Sequence, residues 1–208
     1  MTSDKSRRLV EIEREVERSQ ACRSGGGDTP VFGSGNPDSG VVILGEGPGA
    51  QEEREGRPFV GASGQLLRKA LASLGFQPDR DFFFLNAVWY RSFKLGKDGR
   101  RENKPPSVTQ IEGCRPFLER SLEVVDPALI ISLGTRPAKW LFGPSFKLSE
   151  GHGRLREWGG IKVLPTYHPA AALRPFGVEG AERKRRFEED LATAARIIRE
   201  MGDFRVTA

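Results

Sequence analysis

Three residue types able to do chemistry stand just beyond short apolar runs. Glu46 follows Val41-Val42-Ile43-Leu44 by two positions, Asn86 follows Phe82-Phe83-Phe84-Leu85 directly, and His168 comes soon after Ile161-Lys162-Val163-Leu164. A carboxylate stabilises a developing cation or orients a water. A carboxamide offers a donor and an acceptor on one edge, and an imidazole donates to developing negative charge. The stretch Gly45–Gly64, GEGPGAQEEREGRPFVGASG, carries six glycines and two prolines but also four glutamates. Glycine-rich loops often cradle phosphate, yet carboxylates repel it, and neither GxGxxG nor GK[ST] is present. The loop therefore suits something other than a phosphate. Inside it sits Phe59, either an anchor packed onto the core or a face on which a planar heterocycle stacks.

The elements that must position these residues follow from periodicity. Residues 41–44, 82–85, 128–131 and 161–164 are of strand length and bounded by turn residues. Helical patterns cover 4–22, 63–74, 107–124 (with Pro116 as an awkward member), 135–142 and 180–201, whereas 23–40 is rich in Gly, Pro, Ser and Asp and reads as loop. Strand and helix alternate. The pattern predicts a three-layer α/β/α fold with a central, mostly parallel four-stranded sheet and one domain over 1–208. In such sheets ligands bind beyond the carboxyl ends of the strands, where Glu46, Asn86 and His168 fall. Residues 91–106 form a basic, irregular insert.

Bulk properties set outer limits. The 208 residues, 37% hydrophobic and 29% charged, suffice for a domain with a real core. Net charge +5 and a pI near 9.5 are compatible with a nucleic-acid partner. No run reaches the length of a membrane helix, and the charged N-terminus is no secretory signal, so a cytoplasmic protein without a membrane partner is expected. Cys22 and Cys114 are the two cysteines; without a CxxC pair, neither a disulfide framework nor a standard zinc site is expected, and no other metal site is assigned.

Taken together, GEGPGAQEEREGRPFVGASGQLL, NAVW, CRPFLERSLEVVDPALIISLG and TYHPAAALR resemble the uracil-DNA glycosylase superfamily, most closely its family 4, over roughly residues 22–175. The resemblance implies a DNA repair enzyme that flips uracil out of DNA and hydrolyses its N-glycosidic bond, leaving an abasic site. It implies Glu46 and His168 as catalytic residues, Glu46 facing the sugar and His168 bonding uracil O2. Phe59 stacks on the ring, Asn86 reads the O4/N3 edge, and backbone around Gly47 and Gly49 lines the pocket. Where the best-known branch uses a tyrosine against the thymine methyl, Gly49 stands here, and Glu52 is the candidate block. Leu173 is expected to fill the gap left by the flipped base, with Arg174 on phosphate and Ser63, Arg100 and Arg101 as further DNA contacts. The run Arg183–Arg186 either reaches phosphate or is a solvated helix face. Uracil-containing and abasic-site DNA are the expected partners of a monomer, associated with the nucleoid when on DNA.

Two departures matter. Family 4 carries an iron–sulfur cluster on four cysteines; Cys22 and Cys114 match two, and Gly25 and Tyr90 replace the others. Two thiolates cannot hold a standard four-iron cluster, so no cluster is expected, with packing around Trp89 and Tyr90 in its place. The insert resembles that of the UdgX branch, whose KRRIH histidine is trapped on its product. Asn103 stands in that position, and an amide is no such nucleophile, so turnover without a covalent adduct is expected. The alternative is a UdgX-like or non-catalytic protein that binds uracil or abasic DNA without efficient turnover.

Overall fold

Every residue of the strand Val41–Gly45 is buried. Val42 and Leu44 enter one apolar cluster and Val41 and Ile43 another, the period-2 signature of a strand covered on both faces. The computed structural model describes residues 3–173 and 178–202. In chain order the elements are α1 Asp4–Arg18, α2 Gln20–Arg23, β1 Ser34–Gly35, β2 Val41–Gly45, α3 Ala50–Glu55, α4 Ala62–Ser73, α5 Pro78–Asp81, β3 Phe83–Asn86, β4 Phe93–Leu95 and β5 Arg101–Asn103. There follow α6 Val108–Val125, β6 Leu129–Leu133, α7 Thr135–Phe142, α8 Leu148–Gly151, β7 Arg156–Trp158, β8 Ile161–Thr166, α9 Pro169–Ala172 and α10 Val178–Glu200.

The main sheet has the order β1-β3-β2-β6-β8-β7. β3, β2, β6 and β8 are mutually parallel, and they are the four strands read from the sequence. The sheet extends beyond that reading: β1 and β7 are short antiparallel edges. Neither has the apolar run by which the inner strands are recognised. One face packs on α1 and α6 through Leu9, Ile12, Val16, Leu118 and Leu122. The other packs on α4 and α10 through Leu67, Leu71, Phe187 and Leu191. This is the expected three-layer architecture. Among the described residues no helix is long and apolar enough to cross a membrane.

Two further readings are corrected, and the helix read over 107–124 is present with Pro116 inside it. The N-terminal helical pattern breaks at Ser19, whose hydroxyl caps α2 by accepting from the Cys22 amide 3.3 Å away. The insert is a hairpin: β4 pairs with β5 antiparallel, Phe93 opposite Asn103, around a tip closed by Gly96 N–H donating to the Arg100 carbonyl at 2.8 Å. Its residues show almost no burial, so no hydrophobic alternation announces it. Pro116 does not end α6; it lies on the solvent face while its neighbours Cys114 and Leu118 are fully buried and hold the helix in place.

The cysteines also differ from expectation. Cys22 and Cys114 form a disulfide, 92 residues apart in sequence, with Cα atoms 4.7 Å apart, tying α2 to α6. Only the packing of these two helices brings the thiols together. Beside them Tyr90 is fully buried, and its carbonyl accepts from Gln110 Nε2 at 2.8 Å. The Gln110 carboxamide fills the space a side chain on Gly25 would need, and the Arg23 guanidinium lies 5.3 Å above the Tyr90 ring.

Candidate active site

The parallel register sets Gly45 of β2 directly beside Asn86 of β3. A Cβ on Gly45 would strike Asn86 Oδ1 and come within 2.6 Å of Phe59 Cζ, so glycine leaves the gap across which amide and ring face each other. Asn86 is 5% exposed. Phe59 is held in the left-handed region at φ 56°, unusual for a bulky side chain. Several contacts enforce this. Arg68 Nε donates to the Phe59 carbonyl at 3.1 Å, the Phe59 ring packs 5.5 Å from Phe84, and Gly64 allows α4 to press against the Phe59 backbone.

A cavity of about 640 Å³ opens over these strand ends. Glu46, Gly47, Gly49, Glu52, Phe59, Ser63, Asn86, His168 and Leu173 all line it. The structure thus gathers nine of the twelve residues expected at the site. Arg174 lies outside the described residues. Arg100 and Arg101 do not line the cavity: Arg101 pairs with Asp28 and covers the Phe93 ring, and Arg100 pairs with Asp98 at 3.4 Å near the hairpin tip.

His168 caps the short α9 and accepts from the Ala170 amide through Nδ1 at 3.1 Å. A nitrogen that accepts cannot carry the proton, so the neutral ring has its N–H on Nε2. Burial drives its pKa down to about 4, with the Glu52 charge opposing weakly. His168 is therefore a neutral hydrogen-bond donor at physiological pH. Behind it, Asp190 of α10 accepts from Thr166 Oγ1 at 2.7 Å and pairs with His152 Nδ1 at 3.0 Å, bracing the end of β8.

Glu46 is pushed above the ordinary carboxylate range by burial, against the opposing pull of the Arg136 guanidinium, whose Nε lies 3.1 Å from Glu46 Oε1. Glu52 serves differently. Its Oε1 accepts from the Gly61 amide at 2.8 Å and its Oε2 from the Gly49 amide at 3.2 Å, stapling the two halves of the glycine-rich loop together. The spacing Gly49-x-x-Glu52 is that of a helix-capping glutamate, a signal present in the sequence but not used.

One wall escaped sequence reasoning. Ser92, Asn103, Lys104, Pro105 and Pro106 line the cavity from the hairpin side. Asn103 Oδ1 accepts from Arg91 Nε at 2.7 Å, which turns its Nδ2 toward Gly49. Arg91 is itself buried, pairing with Glu53 at 3.2 Å and donating to the Arg101 carbonyl at 3.0 Å. Within the basic run on α10, Arg185 and Arg186 pair with Glu182 and Lys184 with Glu188, as on a solvated helix face. Among the described residues no three His, Cys, Asp or Glu side chains converge as a metal site would require.

Comparison with known proteins adds to this geometry. Residues 32–192 match the model of the uracil DNA glycosylase superfamily. The chain is 33% identical to the type-4 uracil-DNA glycosylase of Thermotoga maritima over 198 residues, covering 93% of this chain and 97% of that protein. It is 35% identical over 175 residues to the type-4 enzyme of Sulfurisphaera tokodaii, covering 79% and 76%. With that of Pyrobaculum aerophilum it shares 37% over 170 residues, covering 78% and 80%.

Proposed function

The chain belongs to the uracil DNA glycosylase superfamily and is a uracil-DNA glycosylase of DNA repair, and we propose that it flips uracil into the cavity and hydrolyses the bond without covalent capture. One observation carries the mechanism: an amide, an aromatic face, a neutral imidazole donor and a carboxylate meet in a single cavity at the carboxyl ends of the parallel strands.

In this reading the flipped base stacks on Phe59, which already sits against the core with little freedom to lose. Asn86 donates to O4 and accepts from N3–H, a pattern that cytosine reverses. The bond between the sugar C1′ and uracil N1 breaks with its electron pair leaving on the base. His168 Nε2–H donates to O2, where the charge accumulates; such donors are worth about 10²–10³ in rate. Glu46 faces the cationic sugar and orients the water whose oxygen joins C1′, while the water's proton passes to the carboxylate or solvent. Glu52, by fixing the Gly49 and Gly61 amides, keeps the cavity wall rigid on the side assigned to thymine exclusion. Leu173, 44% exposed at the rim, is placed to enter the gap in the helix.

Turnover without an adduct is supported by the amide of Asn103 at the position of the trapping histidine in the resembling branch. Function without an iron–sulfur cluster is supported by the pairing of Cys22 with Cys114 and by the Tyr90 ring and Gln110 carboxamide packed where the remaining ligands would stand. The substrate is uracil-containing DNA, the product abasic DNA, and the working unit a monomer.

Uracil-bearing single- and double-stranded oligonucleotides, incubated with the protein and then treated with alkali, test the reading. Strand breaks are expected with wild type, and breaks at least about 10²-fold slower with His168→Ala and likewise with Glu46→Ala. Absence of breaks on both substrates refutes the enzyme reading, and a denaturant-resistant protein–DNA band refutes turnover.

A further inference from the structure

The start of α7 runs between the two catalytic side chains. Gly134, in the left-handed region at φ 94°, donates its N–H to the Thr166 carbonyl at 2.8 Å, and a Cβ there would lie 3.2 Å from His168 Cβ. Two residues on, Arg136 makes two contacts from outside the cavity wall. Its Nε lies 3.1 Å from Glu46 Oε1, and its Nη1 donates to the carbonyl of Pro106, a residue of the hairpin-side wall, at 3.1 Å. One guanidinium therefore bridges the glycine-rich loop and the opposite end of the insert.

We propose that Arg136 is a positioning residue for the hydrolysis, holding the Glu46 carboxylate ionised and in one orientation while tying it to the hairpin wall. The inference rests on the reading of Glu46 as the group that faces the sugar cation. Only an ionised carboxylate can stabilise that cation or take a proton from the attacking water. Burial alone works against ionisation, and a fixed positive charge at 3.1 Å works for it. The remaining ionisable groups lining the cavity are otherwise placed. Glu52 is bound by two backbone amides, His168 is neutral, and Lys104 comes from the hairpin arm without an ion pair among the described residues. Arg136 is thus the charged partner of Glu46. Its side chain, 39% exposed, carries the contact from the second position of a helix, where its backbone is fixed.

The test is the pH profile of single-turnover uracil excision for wild type, Arg136→Gln, Arg136→Lys and Glu46→Gln, with binding to uracil-free DNA measured in parallel. Loss of the charge is expected to move the acid limb of Arg136→Gln upward by about one pH unit or more, so that its rate deficit is largest at low pH and shrinks as pH rises. Arg136→Lys, which restores a cation, is expected to recover the wild-type limb, and DNA binding should change less than about threefold in either variant. A Gln variant whose limb coincides with wild type, while Glu46→Gln is slow, overturns the inference and leaves the function standing. A deficit that is independent of pH, or that resides in DNA binding, also overturns it, since Arg136 would then act on fold or phosphate. Glu46→Gln with wild-type rate and profile removes the premise and the inference together. Should Arg136→Gln fail to fold, a limb in Arg136→Lys that is displaced upward as far as one pH unit counts against the proposal, because any cation in place should hold it.

Discussion

The neutrality of His168 can be weighed directly. Its pKa falls from 6.5 to about 4 because burial disfavours the charged ring, against the opposing pull of the Glu52 charge, and the Ala170 amide on Nδ1 leaves the neutral ring's proton on Nε2. The unfolded chain takes up a proton at pH 6.5 and below, and the folded chain resists it until about pH 4. Stability linked to this residue is therefore complete above pH 6.5 and is lost as pH falls toward 4. At about 1.36 kcal/mol per pK unit the full effect is on the order of 3 kcal/mol, most of which is lost by pH 4.5. The protein has two histidines, His152 and His168, so its imidazole proton resonances are few enough to follow by NMR. A His152→Gln variant assigns the remaining signal to His168. Its midpoint is expected near pH 4, and urea melts of wild type should lose stability relative to His168→Gln between pH 7 and 4.5. A midpoint near 6.5, or a wild-type-minus-variant difference that does not change with pH, would refute the assignment of His168 as a neutral Nε2–H donor.

Three other outcomes are expected. Glu13 of α1 has its carboxyl pushed up to about 7 by burial and by the Glu17 charge, so it destabilises the fold as pH rises from 4.5 through 7. The ceiling is on the order of 3 kcal/mol, which solvent access reduces to about 1–2 kcal/mol. Glu13→Gln should accordingly raise the urea midpoint at pH 8 and barely move it at pH 4.5. Gly64→Ala puts a methyl onto the Phe59 backbone and should slow excision by about tenfold or more through lost positioning. Gly40→Ala, at an open site with φ 73°, should cost only stability. The Cys22–Cys114 bond closes a loop of 92 residues, worth on the order of 4 kcal/mol in unfolded-chain entropy. Cys114→Ser should lower the melting midpoint and make it insensitive to reductant, with excision at 25 °C retained.

The sequence by itself determined the inner sheet, because strands covered on both faces read as largely apolar runs: Val41–Leu44, Phe82–Leu85 and Ala128–Ile131 are unbroken, and Ile161–Leu164 is interrupted only by the exposed Lys162. It also placed Glu46, Asn86 and His168 at strand ends, and a parallel sheet gives those ends one common rim. Elements without a buried stripe stayed hidden: the edge strands Ser34–Gly35 and Arg156–Trp158 and the exposed hairpin 93–103 hold their shape by backbone pairing, which leaves no hydrophobic period.

What only the tertiary structure decided are the relations between side chains far apart in the chain. Arg136 meets Glu46 because β6 pairs with β2 and delivers α7 beside the glycine-rich loop. Asn103 and Lys104 enter the cavity wall because they lie at the base of the hairpin, whereas Arg100 and Arg101 lie nearer its tip, where Arg100 closes the turn and Arg101 pairs with Asp28. Glu52 becomes a staple only when Gly49 and Gly61 come within reach of one carboxylate. Cys22 finds Cys114 only through the packing of α2 on α6. Residue type and local period are written into the chain, but charge pairing depends on distances that close only when the layers pack.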